Sequence, residues 1–123
     1  MNTPWGKSHK VTKIETGLYW VTTAGHGGYM ISKRKAEKLL PSIMLNNGFL
    51  GAKFGGYYCF EEDCAYAVVE YLLYRADTQC PNIIAFIEGI EPKYTMETYR
   101  QKLAFILNVY YPTLVVELNK LFC

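Results

Sequence analysis

Apolar and polar residues alternate along two short runs near the start of the chain, as they do in β-strands with one buried face. The runs are Val11–Ile14 and Leu18–Thr23, and the segment between them, with Gly17, has the composition of a hairpin turn. Tyr29–Ile31 is a third apolar run that suits a strand. The first half of the chain therefore predicts a small antiparallel sheet.

A short basic helix follows this pattern. Ser32 is a good N-cap, Lys33–Leu40 has helical spacing, and Pro41 ends the helix. Phe49–Phe60 then mixes aromatic residues with three glycines, a composition that suits a bulged strand or a hairpin. We therefore expect further strand structure before the second half of the chain begins.

The second half has the pattern of packed helices. Glu61–Arg75 contains no Gly or Pro and is apolar nearly all round, so it predicts a buried helix. Its first turn would contain three acids, which favour the positive end of a helix dipole. Ile83–Ile90 predicts a short apolar helix or strand. Thr95 can cap a long helix that runs through Asn108, and Thr113–Phe122 predicts a last short helix. Together these elements predict an α+β fold, with a small antiparallel sheet from the N-terminal half packed on C-terminal helices.

Length and composition narrow the class of protein. The 123 residues fit one domain, 1–123, because a single hydrophobic core organises about 100–150 residues. Half of the residues are apolar and 20% are charged, which excludes a disordered linker. No apolar run reaches the roughly 18–20 residues of a membrane span, and no secretory pattern is present. We therefore expect a cytoplasmic protein with reduced cysteines and no membrane partner.

The charges are unevenly distributed along the chain. Residues 1–60 carry eight Lys or Arg and two acids, whereas residues 61–123 carry five and nine, although the net charge is only +2. A strong phosphate-binding field is therefore not indicated. The basic helix at Lys33–Leu40 is accompanied by no recognition-helix or RNA-binding motif. We do not favour a direct nucleic-acid partner, and a small nucleic-acid binder of a mobile element, which would use Lys33, Arg34 and Lys35, stays open as an alternative.

Two groups of residues could together hold a metal ion. Cys59, Glu61 and Cys64 lie at the predicted helix start, and His26 stands among three glycines. Thiolate, imidazole and carboxylate are ligands that Zn²⁺ takes. We predict a closed structural zinc site of His26, Cys59, Glu61 and Cys64 that joins the sheet to the helix. The fourth ligand stays open among Cys59, Glu61, Asp63 and a water. Two alternatives to a metal site also stay open: buried cysteines with helix-start acids and no metal, or a metal-free Cys64 thiolate with His26 as its base.

Catalytic motifs are absent from the sequence. It contains no His-Glu-x-x-His, no Gly-x-Ser-x-Gly and no phosphate-binding loop. We therefore expect no enzyme and no catalytic residue. The alternative is a metal-dependent enzyme acting on a nucleotide, a nucleic acid or a host protein, with Glu62 as a general acid or base.

Tyrosine is unusually frequent, with eleven copies among nineteen aromatic residues. The tyrosines of the last helices cannot all be buried in so small a domain, and exposed tyrosines often anchor protein interfaces. We predict a binding surface formed by Tyr94, Tyr99, Tyr110 and Tyr111.

Three motifs occur in order along the chain: Thr3-Pro4-Trp5-Gly6, His26-Gly27-Gly28 and Glu61-Glu62-Asp63-Cys64. This set resembles an uncharacterised family of small domains found in bacteriophages, prophages and plasmids. The resemblance implies an accessory protein of a mobile element, and such proteins are often counter-defence factors. A chain of this size without an enzyme signature looks like the phage-encoded anti-CRISPR proteins, some of which are zinc-stabilised inhibitors.

The resemblance therefore implies a partner and a mode of action. The partner would be the host's type II CRISPR effector nuclease, a single protein that is guided by RNA. Because the chain is not a strongly acidic DNA mimic, we expect it to block the loading of target DNA through a protein contact. The tyrosines and the acidic C-terminal half would form that contact.

Overall fold

A computed structural model describes residues 1–46 and 52–122 of the chain. The strands are β1 Asn2–Thr3, β2 Gly6–Lys7, β3 Lys10–Glu15, β4 Leu18–Thr22, β5 Gly27–Ser32, β6 Ala52–Phe54 and β7 Tyr57–Glu61. The helices are α1 Lys33–Leu39, α2 Ser42–Asn46, α3 Tyr66–Leu73, α4 Pro81–Ile90, α5 Met96–Tyr110 and α6 Pro112–Phe122. The fold is α+β, as the sequence predicts.

Strands β3 to β7 form one antiparallel sheet with the order β3-β4-β5-β7-β6. The predicted hairpin is confirmed as β3 and β4, which pair from Lys10 with Thr22 to Glu15 with Leu18. Gly17 closes this turn with a φ of 84°, which a residue with a side chain rarely adopts. The predicted strand region at residues 49–60 contains β6 and β7, while residues 49–51 lie outside the described residues.

Side chains cap two of the helices as predicted. The Ser32 hydroxyl accepts a hydrogen bond from the Lys35 amide at 3.2 Å and so caps α1. Thr95 and Thr98 form a reciprocal capping box at the start of α5, with amide to hydroxyl distances of 3.1 and 3.0 Å. These local interactions fix where both helices begin.

The sheet has two different faces. The inner face contributes Leu18, Tyr29, Ile31, Tyr58 and Phe60 to the main core, where the helices pack. The outer face has a separate small cluster of Val21, Met30 and Cys59, which is partly covered by Trp5. Trp5 stands in the turn between β1 and β2, so the N-terminal segment is a small hairpin folded against the outer face.

A buried carboxyl group lies inside the main core. Glu70 of α3 is 1% exposed and accepts hydrogen bonds from the hydroxyls of Tyr29 and Tyr99, each at 2.5 Å. Burial raises the pKa of Glu70, although both tyrosine hydroxyls act in the opposite direction. The two hydrogen bonds tie the sheet and α5 to the central helix.

The predicted helix start at Glu61 is wrong. Glu61 is the last residue of β7 and pairs with Gly28 of β5. Residues 62–65 form a turn, and α3 begins at Tyr66. Pairing with β5 therefore extends the strand through the first acid of the segment, and the three acids are not in a helical turn.

Among the helices that the structure describes, none has both the length and the apolar character needed to cross a bilayer.

Candidate functional site

His26 lies in the short loop between β4 and β5. Its carbonyl accepts hydrogen bonds from the Thr23 amide and the Thr23 hydroxyl, both at 2.7 Å, and its amide donates back to that hydroxyl at 3.1 Å. These bonds hold the loop closed and leave the imidazole side chain 53% exposed. The loop therefore presents His26 at one end of the sheet.

The two glycines after His26 are required by close backbone packing. A Cβ atom on Gly27 would lie within 3.0 Å of the Val21 carbonyl oxygen, and one on Gly28 within 3.0 Å of the Phe60 carbonyl oxygen. The close approach brings β5 against its neighbours β4 and β7. The His-Gly-Gly motif thus has a structural reason: it places the imidazole beside the end of β7.

Three carboxylates of the segment after Phe60 meet His26 at this point. His26 Nδ1 is 3.6 Å from an oxygen of Glu62 and 3.9 Å from an oxygen of Glu61. The other Glu62 oxygen accepts a hydrogen bond from the Gly27 amide at 2.5 Å. We call His26, Glu61, Glu62 and Asp63 the histidine–acid cluster.

The acids of this cluster influence one another. Burial raises the pKa of Glu61, and a hydrogen bond with Asp63 and the neighbouring negative charges act in the same direction. The His26 imidazole acts in the opposite direction. A shared proton or a bound cation would therefore relieve the repulsion between these carboxylates.

The structure brings together only part of the predicted zinc ligand set. One ligand atom each of His26, Glu61 and Asp63 lies within 4.8 Å of the other two, and neither cysteine belongs to this group. Cys59 is buried in the outer-face cluster, where burial raises the pKa of its thiol to about 11. The Cys64 sulfur lies 3.2 Å from the Tyr111 hydroxyl.

This arrangement changes the kind of metal site that the residues fit. The converging donors are one imidazole and two carboxylates, and His26 and Asp63 are exposed. Such donors suit a divalent cation with open coordination positions, whereas a closed structural zinc site takes four protein ligands. The predicted set was based on a helical first turn, so it placed Cys64 rather than Asp63 beside Glu61.

The four predicted binding tyrosines have different environments. Tyr99 is 3% exposed and donates to Glu70, so it belongs to the core and its predicted role as an exposed anchor is wrong. Tyr94 is half-buried and packs edge to face on Tyr99, with 5.4 Å between ring centroids. Tyr110 is 60% exposed, and Tyr111 is half-buried beside Cys64.

The last turn of α5 adds apolar residues that the sequence analysis did not single out. Phe105 is 71% exposed and Val109 is 54% exposed, and their spacing of four places both on one side of the helix. The buried positions Leu103 and Leu107 lie on the other side. Phe105 and Val109 each lie two positions after one of these buried leucines. This offset is the sequence signal that could have identified the exposed face.

The contact between Cys64 and Tyr111 places the end of α5 near the turn that contains the carboxylates. Burial raises the pKa of Tyr111, and the hydrogen bond to Cys64 and the negative charge of Glu61 act in the same direction. We define the acidic–aromatic surface as Glu61, Glu62, Asp63, Tyr110 and Tyr111. It combines negative charge with aromatic area, of which Tyr110 is the exposed part.

These features define an α+β domain with a histidine–acid cluster at one end of its sheet. The chain belongs to the family described as a domain of unknown function, DUF7007, whose model matches residues 1–105. The match contains all three motifs of the sequence analysis. No curated protein and no solved structure matches the chain.

Proposed function

We propose that the chain is a counter-defence protein of a phage or other mobile element, an anti-CRISPR inhibitor. It acts in the host bacterial cytoplasm, binds a type II effector nuclease and prevents target DNA from loading. The proposal combines the motif resemblance with the acidic–aromatic surface, which is the single structural observation that supports it.

The chemistry of the acidic–aromatic surface fits a basic protein partner. A channel that holds nucleic acid is lined with Lys and Arg, which carboxylates such as Glu61 and Asp63 attract. Tyr110 offers a large ring at a low cost in side-chain entropy, and such residues dominate binding energy at protein interfaces. Negative charge directs the encounter, and the aromatic residues supply the affinity.

An inhibition assay tests this proposal. Purified protein is mixed with guide-loaded nuclease, and target DNA binding and cleavage are measured over a range of molar ratios. We expect inhibition near one-to-one stoichiometry, and Tyr110→Ala should weaken it about tenfold or more. The matched control is Ile90→Ala, which removes a 51% exposed apolar residue from α4. Unchanged cleavage at large molar excess, or equal effects of the two variants, would contradict the proposal.

We also propose that a divalent cation, zinc in the first instance, binds at His26, Glu61 and Asp63. A bound cation would fasten the β4–β5 loop to the turn after β7 and would offset the repulsion between the acids. Elemental analysis of tag-free protein should give about one metal per chain. His26→Ala and Asp63→Asn should lose it, whereas Cys64→Ser and Glu97→Gln should keep it. Loss on Cys64→Ser alone would instead support a cysteine ligand.

A metal-dependent enzyme is the second candidate, and one observation favours it. The histidine–acid cluster adjoins a cavity of about 240 Å³ lined by residues including Trp20, Thr23, His26 and Glu62. Glu62 stands beside the three converging donors and could serve as a general base. Stoichiometry separates the candidates, because an enzyme acts well below one-to-one and loses activity on Glu62→Gln. The inhibitor should keep its stoichiometry in that variant.

A further inference from the structure

The outer face of the sheet carries aromatic residues at the end away from the histidine–acid cluster. Tyr19 and Tyr57 lie on this face with ring centroids 6.1 Å apart, arranged edge to face. Phe54 pairs with Tyr57, and directly paired residues project from the same face of a sheet. Phe54 is 37% exposed, and both tyrosines are partly exposed. Three aromatic rings are therefore available side by side on an open sheet.

Positive charge borders these rings. Lys13 is exposed and pairs with Tyr19, so it projects from the same face. Lys33 and Arg34 are exposed and begin α1 directly after Ser32, the residue that pairs with Tyr57. Lys33 lines a pocket with Lys53 and Tyr58, so it lies toward the helical side of the sheet, and Lys13 is the cation that shares the face of the rings. Positive charge is thus present around this end of the sheet.

A backbone contact fixes the start of α1 beside this end of the sheet. The Lys33 amide donates to the Gly56 carbonyl at 3.0 Å, which ties α1 to the turn between β6 and β7. Residues 1–60 contain two acids. Glu15 forms an ion pair with Lys35 at 2.6 Å, and Glu37 is an exposed residue of α1 that lines a pocket with Lys33. Glu61, on the same face, is four residues along β7 from Tyr57, or about 13 Å.

We propose that this aromatic and basic end of the sheet binds single-stranded nucleic acid. Unpaired bases stack on Tyr19, Tyr57 and Phe54, while Lys13, Lys33 and Arg34 contact the phosphates. Base stacking on aromatic side chains along a positively charged surface is how proteins hold single strands with little sequence preference. The bases of a duplex stack on one another, so a duplex has few free base faces that could stack on the three rings. The sequence alone did not favour a nucleic-acid partner, because it does not bring these rings and cations to one end of a sheet.

This inference goes beyond the proposed inhibitor function and does not depend on it. None of its residues belongs to the acidic–aromatic surface. Either activity can therefore fail while the other persists.

Fluorescence anisotropy with the intact protein tests the proposal. The probes are labelled single-stranded DNA and RNA of about twelve nucleotides and a duplex of the same length, at several salt concentrations. We expect the single strands to bind at least fivefold more tightly than the duplex. Tyr57→Leu keeps an apolar side chain but removes the ring, and it should weaken single-strand binding about five- to hundredfold.

A double variant tests the phosphate contacts. The double variant Lys13→Glu with Arg34→Glu should weaken binding. It should also make the slope of log affinity against log salt concentration less steep, by the amount that about two phosphate contacts contribute. The matched control, Lys93→Glu with Lys120→Glu, makes the same change of charge on the helical side and should have little effect.

Several outcomes would overturn the inference. They are absence of single-strand binding at low salt, tighter binding of the duplex, and equal weakening by the two charge variants. Circular dichroism establishes whether each variant folds. If Tyr57→Leu fails to fold, Phe54→Ser replaces it, and an unchanged affinity in that variant would equally refute base stacking.

Discussion

The Cys64 thiol and the Tyr111 hydroxyl lie 3.2 Å apart, although the two residues are 47 positions apart in the chain. The contact joins the turn before α3 to the junction between α5 and α6. It therefore sets the position of Tyr110 relative to the carboxylates that follow β7. A small polar contact thus determines the geometry of the acidic–aromatic surface.

Tyr111→Phe removes only the hydroxyl from this contact. We expect a loss of about 0.5–1.5 kcal/mol in the free energy of unfolding, as for other neutral hydrogen bonds. Urea denaturation measures it. The same change at the exposed Tyr110 should stay within about 0.5 kcal/mol, and an equal loss at both positions would show that the Cys64 contact contributes nothing.

Gly28→Ala should be among the most damaging single substitutions. Its Cβ would meet the Phe60 carbonyl and the Glu61 Cα, and Gly28 has a φ of 152°. We expect a loss of at least about 3 kcal/mol, or failure to fold, because backbone atoms cannot move aside as a flexible side chain can. Gly25→Ala is the control, since a Cβ there meets nothing within 4 Å. Similar melting temperatures for both variants would disprove this packing.

The buried Glu70 should make stability depend on pH. Its pKa is raised in the folded protein, so the folded chain holds the proton more tightly than the unfolded chain does. The stabilisation from this group is complete below its ordinary pKa of 4.5 and declines as pH rises through the raised value.

Glu70→Gln removes this titration and keeps one oxygen to accept a tyrosine hydroxyl. At about pH 4, where the wild-type carboxyl is protonated, we expect the variant to be less stable by about 1–3 kcal/mol, because one tyrosine hydroxyl then faces the amide nitrogen of Gln, which cannot accept its hydrogen bond. The difference should shrink as pH rises, since only the wild type titrates. Denaturation series at several pH values measure it, with the exposed Glu97→Gln as control. A difference that is constant with pH would refute the raised pKa.

Thiol labelling should distinguish the cysteines that the structure describes. Burial raises the pKa of Cys80 to about 12, assisted by its hydrogen bond to Glu15, and that of Cys59 to about 11. In a Cys123→Ser background, a thiol reagent at pH 8 should therefore label the half-buried Cys64 first. Tandem mass spectrometry after tryptic digestion identifies the labelled residue, because fragmentation separates Cys59 from Cys64 within the peptide 54–75. Rapid labelling of Cys59 or Cys80 in native protein would contradict their burial.

Local signals in the sequence predicted the elements that local interactions determine. The turn at Gly17 and the caps at Ser32 and Thr95 involve residues at most three positions apart, and the structure has all three. The predicted helical turn of the three acids after Phe60 is wrong because Glu61 is held in β7 by its pairing with Gly28, which is distant in sequence.

The candidate site could be predicted only in part for the same reason. The His-Gly-Gly motif and the acidic segment were both recognised, and the structure brings His26 to Glu61. The third donor beside His26 and Glu61 depends on the backbone path after Glu61. That path brings Asp63 to these two residues and places Cys64 beside Tyr111. Tyr99 is buried where its hydroxyl donates to Glu70. The helical spacing in the sequence did not indicate that these two residues would pair.

The sheet order also has a consequence for how the molecule folds. The β3–β4 hairpin pairs Lys13 with Tyr19, whereas the β5–β7 pairing joins Gly28 to Glu61 across 33 positions. Closing the longer loop has a larger entropic cost, so we expect the hairpin to form earlier and β7 to join later. The histidine–acid cluster needs β7 in place, and it is therefore assembled near the end of folding.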